Sequence, residues 1–223
     1  MALENIDAKV AKMLDPVVQS LRNVDPNAIT WTGSLIGLAG AILLVMAGTG
    51  TQGATLLLVG TATIFLSWLF DVLDGAVARA HSRTSRWGDY LDHTFDRLVD
   101  TAYLLALTYN ATWSPDSHWG WWVVLATLLG SYMGTQAKSC GLPRDLSGFG
   151  RNDRLAVLML GTLVTAAQAW RHADGEVPQL NGFAVALVIC GIGGVWTFLV
   201  RFRNARRHLC PPSKFAGSSD PSQ

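Results

Sequence analysis

Four aspartates in one short segment have the residue type and spacing that divalent-metal binding requires. Asp71 and Asp74 stand at positions i and i+3, and Asp92 and Asp96 stand at i and i+4. On an α-helix, either spacing places two side chains on one face, about one turn apart. Two antiparallel helices joined by a turn would bring all four carboxylates together. Oxygen ligands suit Mg²⁺ or Mn²⁺, and four carboxylates can hold two ions about 3.5–4 Å apart, an arrangement that supports phosphoryl displacement.

The elements that must position these aspartates are predicted membrane helices. Half of the 223 residues are hydrophobic and 15% are charged, whereas about a quarter are charged in an ordinary soluble domain. A membrane-spanning helix needs about 20 mostly apolar residues. Six such segments occur, at roughly residues 28–49, 54–73, 92–111, 119–137, 154–170 and 181–200. The sequence therefore predicts an all-α polytopic membrane protein with six transmembrane helices, in which the aspartates lie where the second helix ends and the third begins.

The positions of the cations predict the orientation in the membrane. Of the 17 Lys and Arg residues, all except Arg97 and Arg171 lie before the first span, between spans two and three, between spans four and five, or after span six. Loops rich in Lys and Arg remain in the cytoplasm. Both termini and the four aspartates are therefore expected on the cytoplasmic side of the cell membrane. Bound cations would offset the cost of placing acidic groups near the bilayer.

The chain divides into three parts by composition. Residues 1–27 carry apolar residues at a spacing near the helical period, which predicts an amphipathic helix on the cytoplasmic membrane surface, or else an ordinary cap helix. Pro16 is expected to break or bend this helix. Residues 28–203 form the six-helix transmembrane domain, and the Pro- and Ser-rich tail, residues 204–223, is predicted to be cytoplasmic and disordered. No signal-peptide pattern is expected in residues 1–27.

Composition excludes several classes of function. The net charge of +1 gives no basic excess of the kind that nucleic-acid binding uses, so no nucleic-acid partner is expected. The three cysteines, Cys140, Cys190 and Cys210, lie far apart and form no CxxC pair. They therefore indicate neither a disulfide framework nor a zinc site.

The acidic segment resembles the signature of the CDP-alcohol phosphotransferase family. That signature reads D-x2-D-G-x2-A-R-x8-G-x3-D-x3-D. Every element and every spacing is present here, in Asp71, Asp74, Gly75, Ala78, Arg79, Gly88, Asp92 and Asp96. The six-span topology extends the resemblance to most of the chain, and residues 26–30 (PNAIT) are similar to the family's PNxxT segment.

The resemblance implies a metal-dependent membrane enzyme of phospholipid synthesis that joins a CDP-linked donor to an alcohol and releases CMP. Asp71, Asp74 and Asp92 would hold two Mg²⁺ or Mn²⁺ ions, and Asp96 would act as the general base and also contact a metal. The residues implied in contacts with the CDP-lipid are Asn27, Thr30, Gly75, Ala78, Arg79, Ser85 and Gly88. Members of the family are commonly homodimers. The structural alternatives are a membrane anchor for Arg79 and close helix packing for each glycine.

The donor and the acceptor are predicted with different precision. A site at the membrane surface favours a lipid-linked donor, such as CDP-diacylglycerol or its archaeal ether counterpart. Four cations near the site are candidates for binding an acceptor phosphate: Lys138, Arg144, Arg151 and Arg154. That role favours inositol phosphate or glycerol 3-phosphate, whereas a plain cytoplasmic loop leaves serine open. Residues 150–154 (GRNDR) resemble the segment with paired arginines in relatives that use inositol phosphate, but residues 132–138 lack the arginines often found there.

Two further classes of function are compatible with the topology. Acidic residues in membrane helices also mark cation pathways, so a divalent-cation transporter is the alternative from another class. A membrane scaffold would explain the helices but not the spacing of the acids. Outside the signature, His93 is expected to point about 100° away from Asp92 and to take no part in the site, and Asp100 is expected to pair with Arg97.

Overall fold

The computed structural model describes residues 13–115, 118–143, 147–172 and 175–210. Within these ranges the chain folds into one short helix and six long helices, and the predicted all-α fold is confirmed. The helices are α1 (Asp15–Ser20), α2 (Pro26–Met46), α3 (Gly50–Ala80), α4 (Arg86–Tyr109), α5 (Gly120–Ser139), α6 (Arg151–Arg171) and α7 (Gly182–Leu209).

Each long helix matches one predicted span, but two of them extend well beyond the apolar segment. Helix α3 continues through the aspartate segment to Ala80, where the sequence predicts a span that ends near residue 73. Helix α7 continues to Leu209, so residues 204–209 of the predicted tail are helical; residues 211–223 lie outside the described residues. The prediction ended each span where polar side chains begin. A helix can continue past that point, because helix-forming residues there still make backbone hydrogen bonds.

The N-terminal segment differs from the predicted pattern where it can be compared. Residues 1–12 lie outside the described residues, and Pro16 stands in the first turn of α1. Proline is compatible with that position because the first N–H groups of a helix have no partner within it. Helix α1 buries Val18 against Ile29 of α2 and Val77 of α3. Val17, one of the apolar residues at helical spacing in residues 1–27, is instead exposed.

Two groups of helices pack together around the core. Helix α2 packs along α3 and α4, and α5 packs along α7, while α6 contacts α3 and α7 and so joins the groups. The core is aliphatic and aromatic, with Leu44, Leu57, Ile64, Tyr103 and Phe183 fully buried. Between α3 and α6, the hydroxyl groups of Thr61 and Thr162 form a buried hydrogen bond of 2.7 Å.

Only part of the bundle is strongly apolar. Among the described helices, α2, α3 and α7 are each long and apolar enough to cross a membrane by length and composition. Helices α4 and α6 instead carry charged residues that face the other helices, including Asp100 on α4 and Arg154 on α6, both buried. Helices α4 and α6 therefore bring charged groups into the bundle, next to the C-terminal end of α3.

Candidate active site

The signature aspartates lie on two adjoining helices joined by a tight turn. Asp71 and Asp74 belong to the last part of α3, and Asp92 and Asp96 to the first part of α4. Helix α4 begins after Ser85, whose Oγ accepts a hydrogen bond of 2.9 Å from the backbone N–H of Gly88. This N-cap fixes where α4 starts and therefore which of its residues face α3.

All four aspartates line one small inner pocket. The pocket measures about 10 Å³ and is also lined by Thr30, Ser67 and Arg151. A space of this size holds about one water molecule or ion. The sequence prediction that the two acidic pairs converge therefore agrees with the geometry, and the pocket walls supply oxygen ligands and one guanidinium group.

Asp74 is the most deeply placed of the four carboxylates. Its residue is 6% exposed, and Thr30 Oγ1 donates a hydrogen bond of 2.5 Å to Asp74 Oδ2. Thr30 stands on α2, which Asp25 caps through a 3.0 Å bond from the N–H of Asn27. Thr30 therefore orients a signature aspartate, in addition to lining the site predicted for the donor.

Arg151 is the cation closest to these carboxylates. It is the first residue of α6, and its Nη1 lies 2.6 Å from Asp71 Oδ2 and 3.0 Å from Asp96 Oδ1. The Arg151 side chain is 14% exposed. The guanidinium thus bridges the acids of α3 and α4, a contact across 80 residues of sequence that local spacing does not reveal.

A second charged group lies deeper, beside the inner pocket. Asp100 is 3% exposed and accepts a 2.5 Å hydrogen bond from Arg154 Nη2. Arg97 Nη1 lies 3.8 Å from the same carboxylate, which agrees with the predicted pair, and Arg151 Nε lies 3.4 Å away. Burying Asp100 is tolerable because three guanidinium groups surround it.

A larger outer pocket adjoins the inner one. It measures about 220 Å³, and Asp74 and Asp92 line both pockets. Its walls include every residue predicted to contact the CDP-lipid: Asn27, Thr30, Gly75, Ala78, Arg79, Ser85 and Gly88. Arg83 also lines this pocket and donates a 3.1 Å hydrogen bond to the carbonyl of Val24.

Gly75 allows the Arg79 side chain to lie close to the helix. A Cβ atom at position 75 would stand 3.0 Å from Arg79 Nη1 and 3.5 Å from Nη2. Any larger residue at this position must therefore move the guanidinium. The three atoms nearest to that Cβ belong to Arg79 rather than to a neighbouring helix, so the missing side chain of Gly75 leaves room for the exposed guanidinium at the pocket wall.

The four acceptor-phosphate candidates have different surroundings. Lys138, at the end of α5, is 64% exposed and lies 3.9 Å from Asp89. Arg144 lies outside the described residues. Arg151 borders the inner pocket, whereas Arg154 is buried and its Nη2 is engaged by Asp100. Of the described candidates, Lys138 and Arg151 are thus the ones with exposed or pocket-facing groups.

Sequence reasoning missed two features of the site. His93 lies 3.3 Å from Asp92 Oδ2 and 3.4 Å from Asp89 Oδ1, and one ligand atom from each of Asp92, His93 and Asp96 falls within 4.8 Å of the others. Rotation about the side-chain torsions brings the imidazole back toward its neighbour despite the backbone angle.

The second feature is that α7 holds the loop before Arg151. Thr197 Oγ1 accepts a 2.8 Å hydrogen bond from Phe149 N–H, and Arg201 Nε donates a 3.0 Å hydrogen bond to the Ser147 carbonyl.

The donor set fits a hard divalent cation. The four carboxylates of the inner pocket are oxygen ligands, and no cysteine lines either pocket among the described residues. Such ligands suit Mg²⁺ or Mn²⁺ rather than a thiophilic metal. The sulfur-free composition therefore matches the predicted cofactor class.

Comparison with known proteins identifies the family over most of the chain. The sequence profile of the CDP-alcohol phosphatidyltransferase family matches residues 23–199. The chain belongs to the CDP-alcohol phosphatidyltransferase family. It is therefore an integral membrane enzyme, which decides against the transporter and scaffold alternatives.

Individual relatives place it within this family. Phosphatidylinositol phosphate synthase of Cutibacterium acnes is 29% identical over 213 residues, covering 92% of this chain and 98% of the relative. The crystal structure of the Mycobacterium tuberculosis phosphatidylinositol phosphate synthase with CDP-DAG bound superimposes with a TM-score of 0.67 at 25% identity, covering 91% and 94% of the two chains. The structure of that enzyme with manganese and citrate has a TM-score of 0.68 at 24% identity, covering 96% of this chain and 93% of the other, and shows the same fold.

Proposed function

We propose that this phosphatidyltransferase moves a phosphatidyl-type group from a CDP-linked lipid to inositol phosphate and releases CMP. The observation that carries the proposal is the pair of adjoining pockets that share Asp74 and Asp92 as walls. One pocket is large enough for part of a nucleotide, and the other gathers the carboxylates. The diphosphate of a donor lying in the outer pocket would therefore reach the acidic site.

The outer pocket supports the assignment of the donor. The CDP portion would lie between α2 and the turn that joins α3 to α4, with Arg79 supplying hydrogen-bond donors to phosphate oxygens. The membrane beside the helices would receive the lipid chains. The M. tuberculosis relative was crystallised with CDP-DAG, which favours a CDP-diacylglycerol; an ether-linked counterpart presents the same headgroup and fits the same contacts.

The carboxylates support a site for two divalent cations, Mg²⁺ or Mn²⁺. Asp71, Asp74, Asp92 and Asp96 would hold them, in agreement with the all-oxygen donor set of the inner pocket. When bound, such ions neutralise the diphosphate and stabilise the charge that develops on it. The M. tuberculosis relative has been crystallised with manganese.

The transfer itself requires one proton acceptor. The acceptor hydroxyl oxygen attacks the β-phosphorus, which is linked to the lipid alcohol, and the bond from this phosphorus to the CMP oxygen breaks. Asp96 takes the hydroxyl proton, and CMP leaves with the bonding electrons. Asp96 suits this role because it lies at the inner pocket with its side chain 13% exposed.

Inositol phosphate is the acceptor that the surroundings of the site favour. Arg151 places positive charge at the inner pocket, and Lys138 places it beside Asp89 of the outer pocket, so an acceptor phosphate can be bound near either cation. The relatives named above make phosphatidylinositol phosphate. Glycerol 3-phosphate carries the same phosphate chemistry, and serine lacks it, so these two alcohols are the informative competitors.

The membrane setting completes the proposal. The active site and both termini face the cytoplasm of the cell membrane, because nearly all Lys and Arg residues lie at that end of the predicted spans. The enzyme is proposed to act as a homodimer, as members of its family commonly do. Cysteine crosslinking between copies in the membrane tests the dimer independently of activity.

An acceptor panel tests the proposed function. Purified protein with Mn²⁺ and CDP-diacylglycerol should release CMP with inositol phosphate, and release it more slowly with glycerol 3-phosphate or serine. Removing the ions with a chelator should stop the release, and adding Mn²⁺ should restore it. Release with serine alone would assign the other acceptor, and no release with any of the three would contradict the proposal.

A further inference from the structure

Arg151 contacts the carboxylate oxygens that a divalent cation in the inner pocket would use. Its Nη1 lies 2.6 Å from Asp71 Oδ2 and 3.0 Å from Asp96 Oδ1. A Mg²⁺ or Mn²⁺ ion needs oxygens at about 2.0–2.2 Å, and the pocket of about 10 Å³ has room for about one ion or water. The guanidinium and the ions therefore compete for the same oxygens.

We propose that Arg151 is an internal counter-ion, which the divalent cations displace and which then binds the acceptor phosphate. Both halves of this inference rest on the proposed function, the first on its metal site and the second on its acceptor; a wild-type protein that binds no Mn²⁺ would contradict the metal site itself rather than the competition. The exchange would make metal binding prepare the acceptor site. Arg151 is thus a positioning residue that contacts the carboxylates before the ions bind and the acceptor phosphate afterwards.

The balance of charge supports the exchange. The four carboxylates of the inner pocket carry four negative charges. Two divalent cations would neutralise them completely, one held in the inner pocket and one held where Asp74 and Asp92 also line the outer pocket. The guanidinium would then add an uncompensated positive charge in a half-buried site, which is unfavourable. Without the ions, the same guanidinium is the compensating charge, and it bridges the two helices that carry the acids.

The surroundings allow Arg151 to leave without stranding another charge. Asp100, its third acidic neighbour, keeps a 2.5 Å hydrogen bond from Arg154 Nη2 and lies 3.8 Å from Arg97. Asp100 Oδ1 and Arg151 Nε stand 3.4 Å apart, and neither buried atom has a hydrogen-bond partner within the described structure. Arg151 is therefore held to the deeper group by an ion pair without a hydrogen bond, whereas Arg154 keeps a direct hydrogen bond to Asp100.

The backbone under Arg151 is fixed, so the exchange is a movement of its side chain. The preceding loop is held by α7, through the hydrogen bonds from Phe149 N–H to Thr197 and from Arg201 to the Ser147 carbonyl. The backbone N–H of Gly150 donates 2.8 Å to Asp153 Oδ2. A long, flexible side chain on a fixed first helical residue can turn from the carboxylates to the pocket mouth.

Manganese affinity tests the competition without any turnover. In isothermal titrations of the purified protein, Arg151→Ala should bind Mn²⁺ at least about fivefold more tightly than the wild type, the low end of the 5–150-fold range typical of coupled sites. Arg203→Ala is the matched control, because Arg203 is exposed on α7 and its loss removes the same charge. It should change the affinity by less than about twofold. Equal or weaker Mn²⁺ binding by Arg151→Ala would overturn the competition.

A second variant keeps the test valid if Arg151→Ala does not fold. Lysine preserves the charge but presents a compact ammonium group instead of a fork that can bridge two carboxylates. Arg151→Lys should therefore bind Mn²⁺ more tightly than the wild type by a smaller factor. Affinity at or below that of the wild type would again count against the competition.

Inositol phosphate binding tests the release. Wild-type protein should bind inositol phosphate at least about fivefold more tightly with Mn²⁺ than with a chelator, and by reciprocity the ligand should tighten Mn²⁺ binding equally. In Arg151→Ala this coupling should fall. Full coupling in the variant would show that the ions attract the phosphate directly, and would overturn the release. If the acceptor is serine, the coupling between inositol phosphate and Mn²⁺ should be absent, but Arg151→Ala should still bind Mn²⁺ more tightly. This outcome distinguishes a wrong acceptor from a wrong competition.

Discussion

The two ends of the helix bundle bury polar groups in opposite ways. At the end away from the signature aspartates, Asn110 donates to the carbonyls of Leu44 and Ala47 at 2.7 and 2.8 Å, and its Oδ1 accepts from the N–H of Trp113 at 2.7 Å. Asn181 donates to the Trp113 carbonyl at 2.8 Å. These groups are neutral, and their partners are mostly backbone atoms that terminate α2 and α4.

The end that carries the signature aspartates is charged instead, and its residues line two pockets. Its four signature carboxylates contact other polar side chains, among them Arg151 and Thr30. All four line the inner pocket, and two of them also line the outer pocket. A neutral network with satisfied partners stabilises one fold. A group of like charges is instead compensated by partners that can be exchanged for a ligand. The comparison predicts that substitutions at one end cost stability, and that substitutions at the other cost activity.

Removing the proposed base should have the largest effect. Asp96→Asn keeps the size of the side chain but takes away the proton acceptor, so CMP release should fall by about 10²–10⁴-fold. Steady-state assays with CDP-diacylglycerol and inositol phosphate measure this. Asp15→Asn, an exposed carboxylate on α1, is the matched control and should keep its rate. Normal turnover in Asp96→Asn would remove Asp96 from its role.

Breaking the neutral network should produce the opposite pattern. Asn110→Ala leaves the carbonyls of Leu44 and Ala47 without their side-chain donor, and should lower the free energy of unfolding by about 3 kcal/mol. The rate per folded enzyme should stay close to that of the wild type. Gln52→Ala, an exposed amide on α3, should change stability by less than about 0.5 kcal/mol. A stable but inactive Asn110→Ala would contradict the division between the two ends.

A methyl group at the outer pocket should weaken donor binding. In Gly75→Ala the new Cβ meets Arg79 Nη1 at 3.0 Å, so the guanidinium must shift, and the KM for CDP-diacylglycerol should rise by about threefold to tenfold. In Gly48→Ala, at the other end, the nearest atom would be 3.9 Å away, and KM should not change. An equal KM in both variants would return Gly75 to a packing role.

The exposed pair at the mouth of the site should contribute least to stability. Lys138 and Asp89 are 64% and 60% exposed and lie 3.9 Å apart, so Lys138→Ala should change the free energy of unfolding by less than about 1 kcal/mol. A rise in the KM for inositol phosphate at unchanged stability would show that Lys138 binds the acceptor. A larger loss of stability would mean that the pair supports the fold.

Sequence patterns predicted those parts of the molecule that depend on local spacing. The apolar segments gave the six long helices, and the i, i+3 and i, i+4 aspartates gave the convergence of four carboxylates, because both depend on helical periodicity. The bridge from Arg151 to Asp71 spans 80 residues, and the burial of Arg154 beside Asp100 depends on how α6 packs. Periodicity within one helix carries no information about such contacts, so the charged partners emerged only with the fold.

The most direct test of the account is to locate manganese in crystals of this protein by anomalous scattering. The account predicts two Mn²⁺ peaks among Asp71, Asp74, Asp92 and Asp96, with the Arg151 guanidinium turned away from Asp71 and Asp96. Manganese bound elsewhere, with these four carboxylates pointing into different surroundings, would contradict it.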